Sequence, residues 1–254
     1  MALLQSAGNL IAFPRADLRH LLGVAVKRHR LPEELGQALV REAANFPDVS
    51  PDTALACALA RRMHLAPIDL EKARGILLVG PAGAGKTSVA AKIRHAAALI
   101  GRKTELTKAD GGLALFRTGS VREVRSDSVR TSDNKTDRNP PELLSVMEAD
   151  GFNPLNSRAA SAFSALGEIG GVETIGVVSA MSDAEDVGEL VAAFRFRRVI
   201  ITNLDRTRRL GAALAASLSG ARLAHVTYGP APEDGLQTLE SGALAAQMLE
   251  LRSH

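Results

Sequence analysis

The sequence of 254 residues contains no tryptophan, one tyrosine and one cysteine, Cys57. A single cysteine cannot form a disulfide within the chain, so we expect a reducing, cytoplasmic compartment. With so few aromatic side chains, platforms for stacking nucleic-acid bases are scarce, and a net charge of +3 is too small to indicate a nucleic-acid partner. The sequence also lacks a basic leader and an apolar run of membrane-spanning length, so we expect no signal peptide and no transmembrane helix.

The apolar pattern changes near residue 72. Residues 15–71 carry apolar side chains at a spacing of three to four, which predicts a bundle of three or four short helices. From Gly75 onward, short apolar runs alternate with amphipathic stretches, which predicts a parallel, doubly wound sheet. We expect a helical domain over residues 1–71 and a three-layer α/β/α domain over residues 72–254. The strands are expected at 75–79, 104–108, 143–147, 174–179, 198–202 and 223–227.

One polar segment, residues 117–141, interrupts this alternation. It contains ten charged residues among twenty-five and no Leu, Ile, Phe or Met. Such a composition buries too little apolar surface to stabilise a packed structure. We expect a mobile surface segment here.

The run GPAGAGKT, residues 80–87, lies between a predicted strand and a predicted helix and satisfies the pattern G-x-x-x-x-G-K-[S/T]. Its glycines allow successive backbone N–H groups to converge on phosphate oxygens. Lys86 would reach the β- and γ-phosphates, and the Thr87 hydroxyl would coordinate Mg²⁺. The alternative is a glycine-rich turn that binds nothing. The strand and helix on either side favour a phosphate-binding loop and hence a P-loop NTPase domain.

Asp205 follows the predicted strand 198–202, at the place where GTPases keep an Asn/Thr-Lys-x-Asp base-recognition motif, so it suggests guanine as the base. A carboxylate there can accept hydrogen bonds from both the ring N–H and the exocyclic amine of guanine, whereas adenine offers no such pair of donors. Two charge-assisted hydrogen bonds of about 1.5–3 kcal/mol each discriminate strongly between the bases. The alternative is that Asp205 caps the helix that follows it.

Together these stretches resemble the signal-recognition-particle (SRP) type GTPases and, within that family, its flagellar members. The resemblance covers residues 15–248 and is weakest in the middle of the nucleotide domain. The stretches that carry it are the helical module before GPAGAGKTSVAAK, then VVSAMSDAEDVGEL followed by VIITNLD, RRLGAAL, and a tail, HVTYGPAPEDGLQ, that looks like the family's closing loop.

The resemblance implies a four-helix bundle packed on a Ras-like domain, GTP or GDP with Mg²⁺, and nucleotide-dependent pairing at a membrane. The pairing would join two copies of the chain or an SRP-type heterodimer. Asn203 takes the place of a lysine that covers the base, Asp205 reads guanine, and Gly229 lies near the base. The residues implied to hold the phosphates are Gly80, Gly83, Ala84, Gly85, Lys86, Thr87 and Ser88.

The catalytic motifs of the family are altered in this chain. Residues 148–151, Glu-Ala-Asp-Gly, stand where the family has Asp-Thr-Ala-Gly. Gly151 is implied to meet the γ-phosphate, and either Glu148 or Asp150 could serve Mg²⁺. The family's Asp-Thr-x-Arg motif keeps its acidic residue as Asp110, but Leu113 replaces the arginine that stabilises the transition state.

These features predict an SRP-type GTP-binding protein with slow hydrolysis that acts as a nucleotide-controlled targeting or assembly factor. Its setting would be a flagellum or another membrane machine, with the protein in the cytoplasm or peripheral at the inner face of the membrane. Two other hypotheses stay open. One is a pseudo-GTPase that serves as an interaction module, and the other is a P-loop ATPase or kinase in which Asp205 is only a cap.

Overall fold

The structure is a computed structural model that describes residues 15–109, 143–151 and 172–250. Asp110, Leu113 and the segment 117–141, predicted to be mobile, lie outside the described residues. The helices are α1 (Arg15–Arg28), α2 (Glu33–Ala43), α3 (Pro51–Arg62), α4 (Lys86–Leu99), α5 (Ala184–Phe194), α6 (Gly211–Leu218) and α7 (Ser241–Leu249). The strands are β1 (Gly75–Val79), β2 (Lys103–Ala109), β3 (Leu143–Ala149), β4 (Val172–Ser179), β5 (Arg198–Thr202) and β6 (Arg222–Val226).

The six strands form one parallel sheet in the order β2-β3-β1-β4-β5-β6. Both faces of the sheet are covered, so the central strand β1 is buried along its whole length. Ile76 and Leu78 pack in one core with α4, and Leu77 and Val79 pack in the other with α5 and α6. This is a three-layer α/β/α arrangement, and the predicted fold class and all six predicted strands are confirmed.

The N-terminal helices α1, α2 and α3 pack together, and α7 completes this group by packing against α3 and α1. Pro51 occupies the first turn of α3, where its missing N–H leaves no helical hydrogen bond unmade. The last helix of the chain therefore lies with the bundle rather than with the sheet. None of the helices in the described ranges is both long enough and apolar enough to cross a membrane.

The bundle meets the nucleotide domain at the end of α1, where His29 is buried. The backbone N–H of Leu210 donates to Nδ1 of His29 at 3.3 Å, so the ring proton lies on Nε2, which contacts the carbonyl oxygen of Met248 at 3.1 Å. At Gly211 a Cβ would lie 2.4 Å from the carbonyl oxygens of His29 and Arg30. Burial lowers the pKa of His29, although its bond to Met248 acts in the opposite direction.

This contact predicts a loss of stability at mildly acidic pH. Because the folded pKa of His29 lies below its ordinary value of about 6.5, the unfolded chain binds a proton more readily than the folded chain. The free energy of unfolding should therefore fall as the pH decreases from about 6.5 towards the lowered pKa. Urea denaturation at pH 7.5 and pH 5.5 measures this difference.

His29→Gln is the matched variant, because glutamine can donate and accept but does not titrate. Its stability should change less between the two pH values than that of the wild type. A residual change is expected in both proteins, since burial also lowers the pKa of His225. An identical pH dependence in the two proteins would show that His29 is not responsible.

Candidate functional site

The loop of residues 80–85 connects β1 to α4 and lies at the carboxyl edge of the sheet. Gly83 and Gly85 have φ angles of 76° and 92°, in the left-handed region that favours glycine. At Gly80 a Cβ would lie 2.2 Å from the carbonyl oxygen of Val177 in β4. Glycine is therefore favoured at positions 83 and 85 by the backbone conformation and at position 80 by the lack of space for a side chain.

Lys86 begins α4 and turns back over the loop. Its ammonium group donates to the carbonyl oxygens of Gly80 at 2.8 Å and Pro81 at 3.0 Å. The side chain is half-buried, and this burial lowers the pKa of Lys86, while the carboxylates of Glu148 and Asp150 act in the opposite direction. The Lys86 ammonium group is thus held at a place where the loop N–H groups and the N-terminus of a helix would likewise attract an anion.

Thr87 contacts the carboxylate that ends β3. Its Oγ1 donates to Oε2 of Glu148 at 2.8 Å. Glu148 is only 6% exposed, and its Oε1 has no hydrogen-bond partner in the described residues. A hydroxyl and a buried carboxylate oxygen are hard ligands of the kind that Mg²⁺ prefers. An unpartnered, buried carboxylate oxygen is costly, which fits a site that a cation completes.

Asp150 lies one residue beyond the end of β3 and is exposed. The structure therefore brings Glu148, not Asp150, to the Thr87 hydroxyl. Gly151 follows, and a Cβ there would lie 2.7 Å from Cα of Ala82. The chain after β3 thus lies directly against the phosphate-binding loop, as an implied contact of Gly151 with the γ-phosphate requires. Ser88 lies half-buried in the first turn of α4.

Thr202 is a site residue that sequence reasoning missed. It is the last residue of β5, is buried, and donates from Oγ1 to the carbonyl oxygen of Ala84 at 2.7 Å. Its neighbour Asn203 donates from Nδ2 to Oγ of Ser179, at the end of β4, at 3.0 Å. These two bonds connect the phosphate-binding loop to the ends of two neighbouring strands. The sequence feature that could have identified Thr202 is its hydroxyl group directly before the base-recognition motif.

Asp205 lies in a 3₁₀ turn, Leu204–Arg206, and is exposed. The next helix, α6, begins at Gly211 and has Leu210 as its N-cap residue. Asp205 therefore does not cap that helix, and no hydrogen bond or ion pair joins its carboxylate to another described residue. The carboxylate is available to a ligand at this edge of the sheet.

Gly229 lies in the loop after β6. Its φ angle is 64°, and a Cβ would lie 2.2 Å from Oδ2 of Asp234. Oδ2 of Asp234 also accepts a hydrogen bond from the N–H of Ala231 at 3.0 Å. This part of the loop therefore has a defined conformation that depends on glycine at position 229.

A cavity of about 380 Å³ adjoins the outer side of the phosphate-binding loop. It lies between the loop, the start of α5 and the turn that contains Asn203 and Arg206. The residues that line it are Pro81, Ala82, Gly83, Ala84, Val178, Ser179, Met181, Ser182, Asp186, Val187, Leu190, Asn203 and Arg206.

No protein-family model matches the chain, and no curated protein sequence matches it. Among solved structures, FlhF complexed with GMPPNP and Mg²⁺ has a TM-score of 0.66 and 16% identity, covering 92% of this chain and 100% of that one. The cell division protein FtsY from Thermotoga maritima has a TM-score of 0.64 and 17% identity, covering 93% and 88%. The SRP receptor FtsY from Elizabethkingia anophelis, in complex with GDP, has a TM-score of 0.61 and 15% identity, covering 94% and 85%. At these identities the likeness shows the fold, which is the one FlhF and FtsY share.

The bond between Thr202 and Ala84 predicts a stability effect. Thr202→Val keeps the shape of the side chain but leaves the buried carbonyl oxygen of Ala84 without this donor. The free energy of unfolding should fall by about 1–3 kcal/mol, the cost of an unmade buried hydrogen bond. Urea denaturation measures the loss, with Thr107→Val, an exposed residue of β2, as the control. Equal stabilities of the two variants would contradict this role of Thr202.

Proposed function

We propose that this chain, whose fold is that of the SRP-type GTPases, binds guanine nucleotides together with Mg²⁺ and hydrolyses GTP slowly. The observation that carries the proposal is the meeting of the phosphate-binding loop with Lys86, Thr87 and Glu148 at one edge of the sheet. FlhF has been solved with GTP and Mg²⁺, and FtsY with GDP.

The phosphates would bind over residues 80–88. Backbone N–H groups of the loop and the first turn of α4 supply donors and a favourable dipole. The Lys86 ammonium, which now contacts two loop carbonyl oxygens, would exchange these neutral acceptors for charged phosphate oxygens. A phosphate oxygen carries a negative charge that attracts the ammonium more strongly than a neutral carbonyl oxygen does, so the exchange favours binding.

Thr87 and Glu148 are the residues that would hold Mg²⁺. Oε1 of Glu148 is buried and has no hydrogen-bond partner among the described residues. A bound cation would compensate for the cost of burying this oxygen. When bound, Mg²⁺ would supply positive charge that neutralises the phosphate oxygens. The role of Glu148 is to orient the Thr87 hydroxyl and to place a negative charge at the base of the site.

The base would be read by Asp205, whose exposed carboxylate can accept from both guanine donors. Asn203 contributes differently from the lysine of the family, since its side-chain amide is bonded to Ser179. Affinity for the base would thus depend on Asp205 and on the loop around Gly229.

Slow hydrolysis is proposed because two catalytic features differ from the family. Leu113 occupies the position of the arginine that would stabilise the transition state, and Glu148 is one methylene longer than the family's aspartate. A pseudo-GTPase is the second candidate, favoured by Leu113 and by Asn203. Mg²⁺-dependent GTP turnover that disappears in Lys86→Ala would exclude it.

The biological role we propose is a nucleotide-controlled targeting or assembly factor for a flagellum or another membrane-associated machine. It rests on the resemblance to the flagellar SRP-type GTPases and on the shared fold. GTP would favour pairing of the nucleotide domain, with a second copy or with an SRP-type relative. Analytical ultracentrifugation with GDP and with GMPPNP tests for the paired form of the chain itself.

Isothermal titration with GDP, GTP and ATP tests the nucleotide assignment. We expect GTP and GDP to bind at least about tenfold more tightly than ATP, because one charge-assisted hydrogen bond is worth that much or more. Lys86→Ala should abolish binding, and Asp205→Asn should remove the guanine preference. Lys108→Ala, an exposed lysine of β2, is the control for loss of positive charge. Equal affinities for ATP and GTP, or none, would overturn the assignment.

The same titration with and without Mg²⁺ tests Glu148 against Asp150. In the wild type, Mg²⁺ should strengthen GTP binding. Glu148→Gln should remove most of this effect, because the buried negative charge beside Thr87 is lost while the side-chain shape is kept. Asp150→Asn is the control and should retain the Mg²⁺ effect. A larger loss in Asp150→Asn than in Glu148→Gln would assign the cation to Asp150 instead.

A further inference from the structure

Lys92 is completely buried, which is rare for a lysine. It lies on α4, six residues after Lys86. Its ammonium donates to the carbonyl oxygen of Ala231 and lies 3.8 Å from Oδ2 of Asp234. A buried ammonium is tolerated only when it is paired and hydrogen-bonded, and an apolar side chain of similar size would fill the space at less cost. Packing alone therefore does not explain a lysine at this position.

The partners of Lys92 belong to the closing segment, which we define as residues 227–236. An antiparallel bridge closes it at its base, with N–H···O distances of 2.8 and 3.0 Å between Val226 and Gln237. Within the segment, Oδ2 of Asp234 accepts from the N–H of Ala231 and lies against Gly229. Asp234 therefore stabilises the conformation of the closing segment, and Lys92 holds the closing segment against α4.

Lys92 connects α4 to the closing segment, and these two elements belong to different parts of the proposed nucleotide site. The first residues of α4, Lys86 and Thr87, form the phosphate subsite, whereas Gly229 of the closing segment is implied to lie beside the base. A helix is stiff over the short distance from Lys86 to Lys92, so an anchor at Lys92 transmits the position of the phosphate subsite to the closing segment.

We propose that Lys92 is a positioning residue that holds the closing segment against the phosphate-binding helix and so sets the distance between the phosphate and base subsites. The inference rests on the proposed function, because it assumes that the base of a nucleotide lies beside Gly229. It predicts that Lys92 matters to ligands that carry a base and not to the phosphate chain alone.

Isothermal titration of wild type and Lys92→Met with GDP and with inorganic tripolyphosphate separates the two subsites. In Lys92→Met the carbonyl oxygen of Ala231 loses its charged donor and the closing segment its anchor. We expect the Kd for GDP to rise about tenfold or more, and the Kd for tripolyphosphate to stay within about twofold of the wild type. Arg94→Met, an exposed basic residue of the same helix, is the matched control and should leave both constants unchanged.

Thermal unfolding is measured in parallel, and Lys92→Gln, which keeps a neutral donor, replaces Lys92→Met if the methionine variant does not fold. A selective loss of GDP affinity supports the inference. Unchanged GDP affinity in the variant, or equal losses for GDP and tripolyphosphate, overturns it while leaving the proposed function intact. A wild-type protein that binds tripolyphosphate but no guanine nucleotide overturns the proposed function, and this inference with it.

Discussion

The close approach of backbone to backbone at the carboxyl edge of the sheet is the constraint on which the site depends. At Gly80 a Cβ would lie 2.2 Å from a carbonyl oxygen of β4, and at Gly151 one would lie 2.7 Å from Cα of Ala82. The loop can therefore lie flat against β3 and β4 only where side chains are absent. This position places Lys86 and Thr87 at the start of α4, beside Glu148. A side chain at either glycine would displace the loop and, with it, the groups that are proposed to bind phosphate.

A neutral hydrogen-bond network holds the loop from the other side. Thr202 bonds to the loop at Ala84, and Asn203 bonds to Ser179 at the end of β4. Asn203 thereby joins two strand ends, whereas the resemblance to the SRP-type GTPases implies a lysine that covers the base at this place. In the proposed function, recognition of the base is therefore assigned to Asp205 and the closing segment. The proposed phosphate subsite and the proposed base subsite would consequently use separate groups.

The parts of the fold that could be predicted from the sequence are those encoded locally. Each strand is a short apolar run. The phosphate-binding loop is one continuous motif, and steric limits on the backbone explain why it contains glycines. The packing of α7 against α3 and α1 brings together the two ends of the chain and is not encoded locally. Lys92 could not be found in this way, since a lysine on a helix gives no local sign that it is buried and paired with a loop 139 residues away.

Two pairs of alternatives that the sequence left open differ in the structure because of where elements end. Glu148 and Asp150 are two residues apart, but β3 ends at Ala149, so Glu148 keeps the inward direction of the strand while Asp150 lies beyond it, exposed. The sequence could not choose because strand ends are not encoded sharply. Asp205 could have been a helix cap, but a turn separates it from α6, which begins at Gly211.

The buried Oε1 of Glu148 is the observation that most directly favours a cation at this site. A carboxylate oxygen without a partner destabilises the folded chain unless a ligand compensates for it, and Thr87 satisfies only the other oxygen. The glutamate contacts the Thr87 hydroxyl directly and leaves its other oxygen for the cation of the proposed site, although its side chain is one methylene longer than the aspartate of the SRP-type GTPases. Leu113 removes a charge that acts mainly on the transition state and not on the bound nucleotide. Under the proposed function, differences of these two kinds would reduce turnover more than affinity, and the nucleotide would be held and seldom hydrolysed.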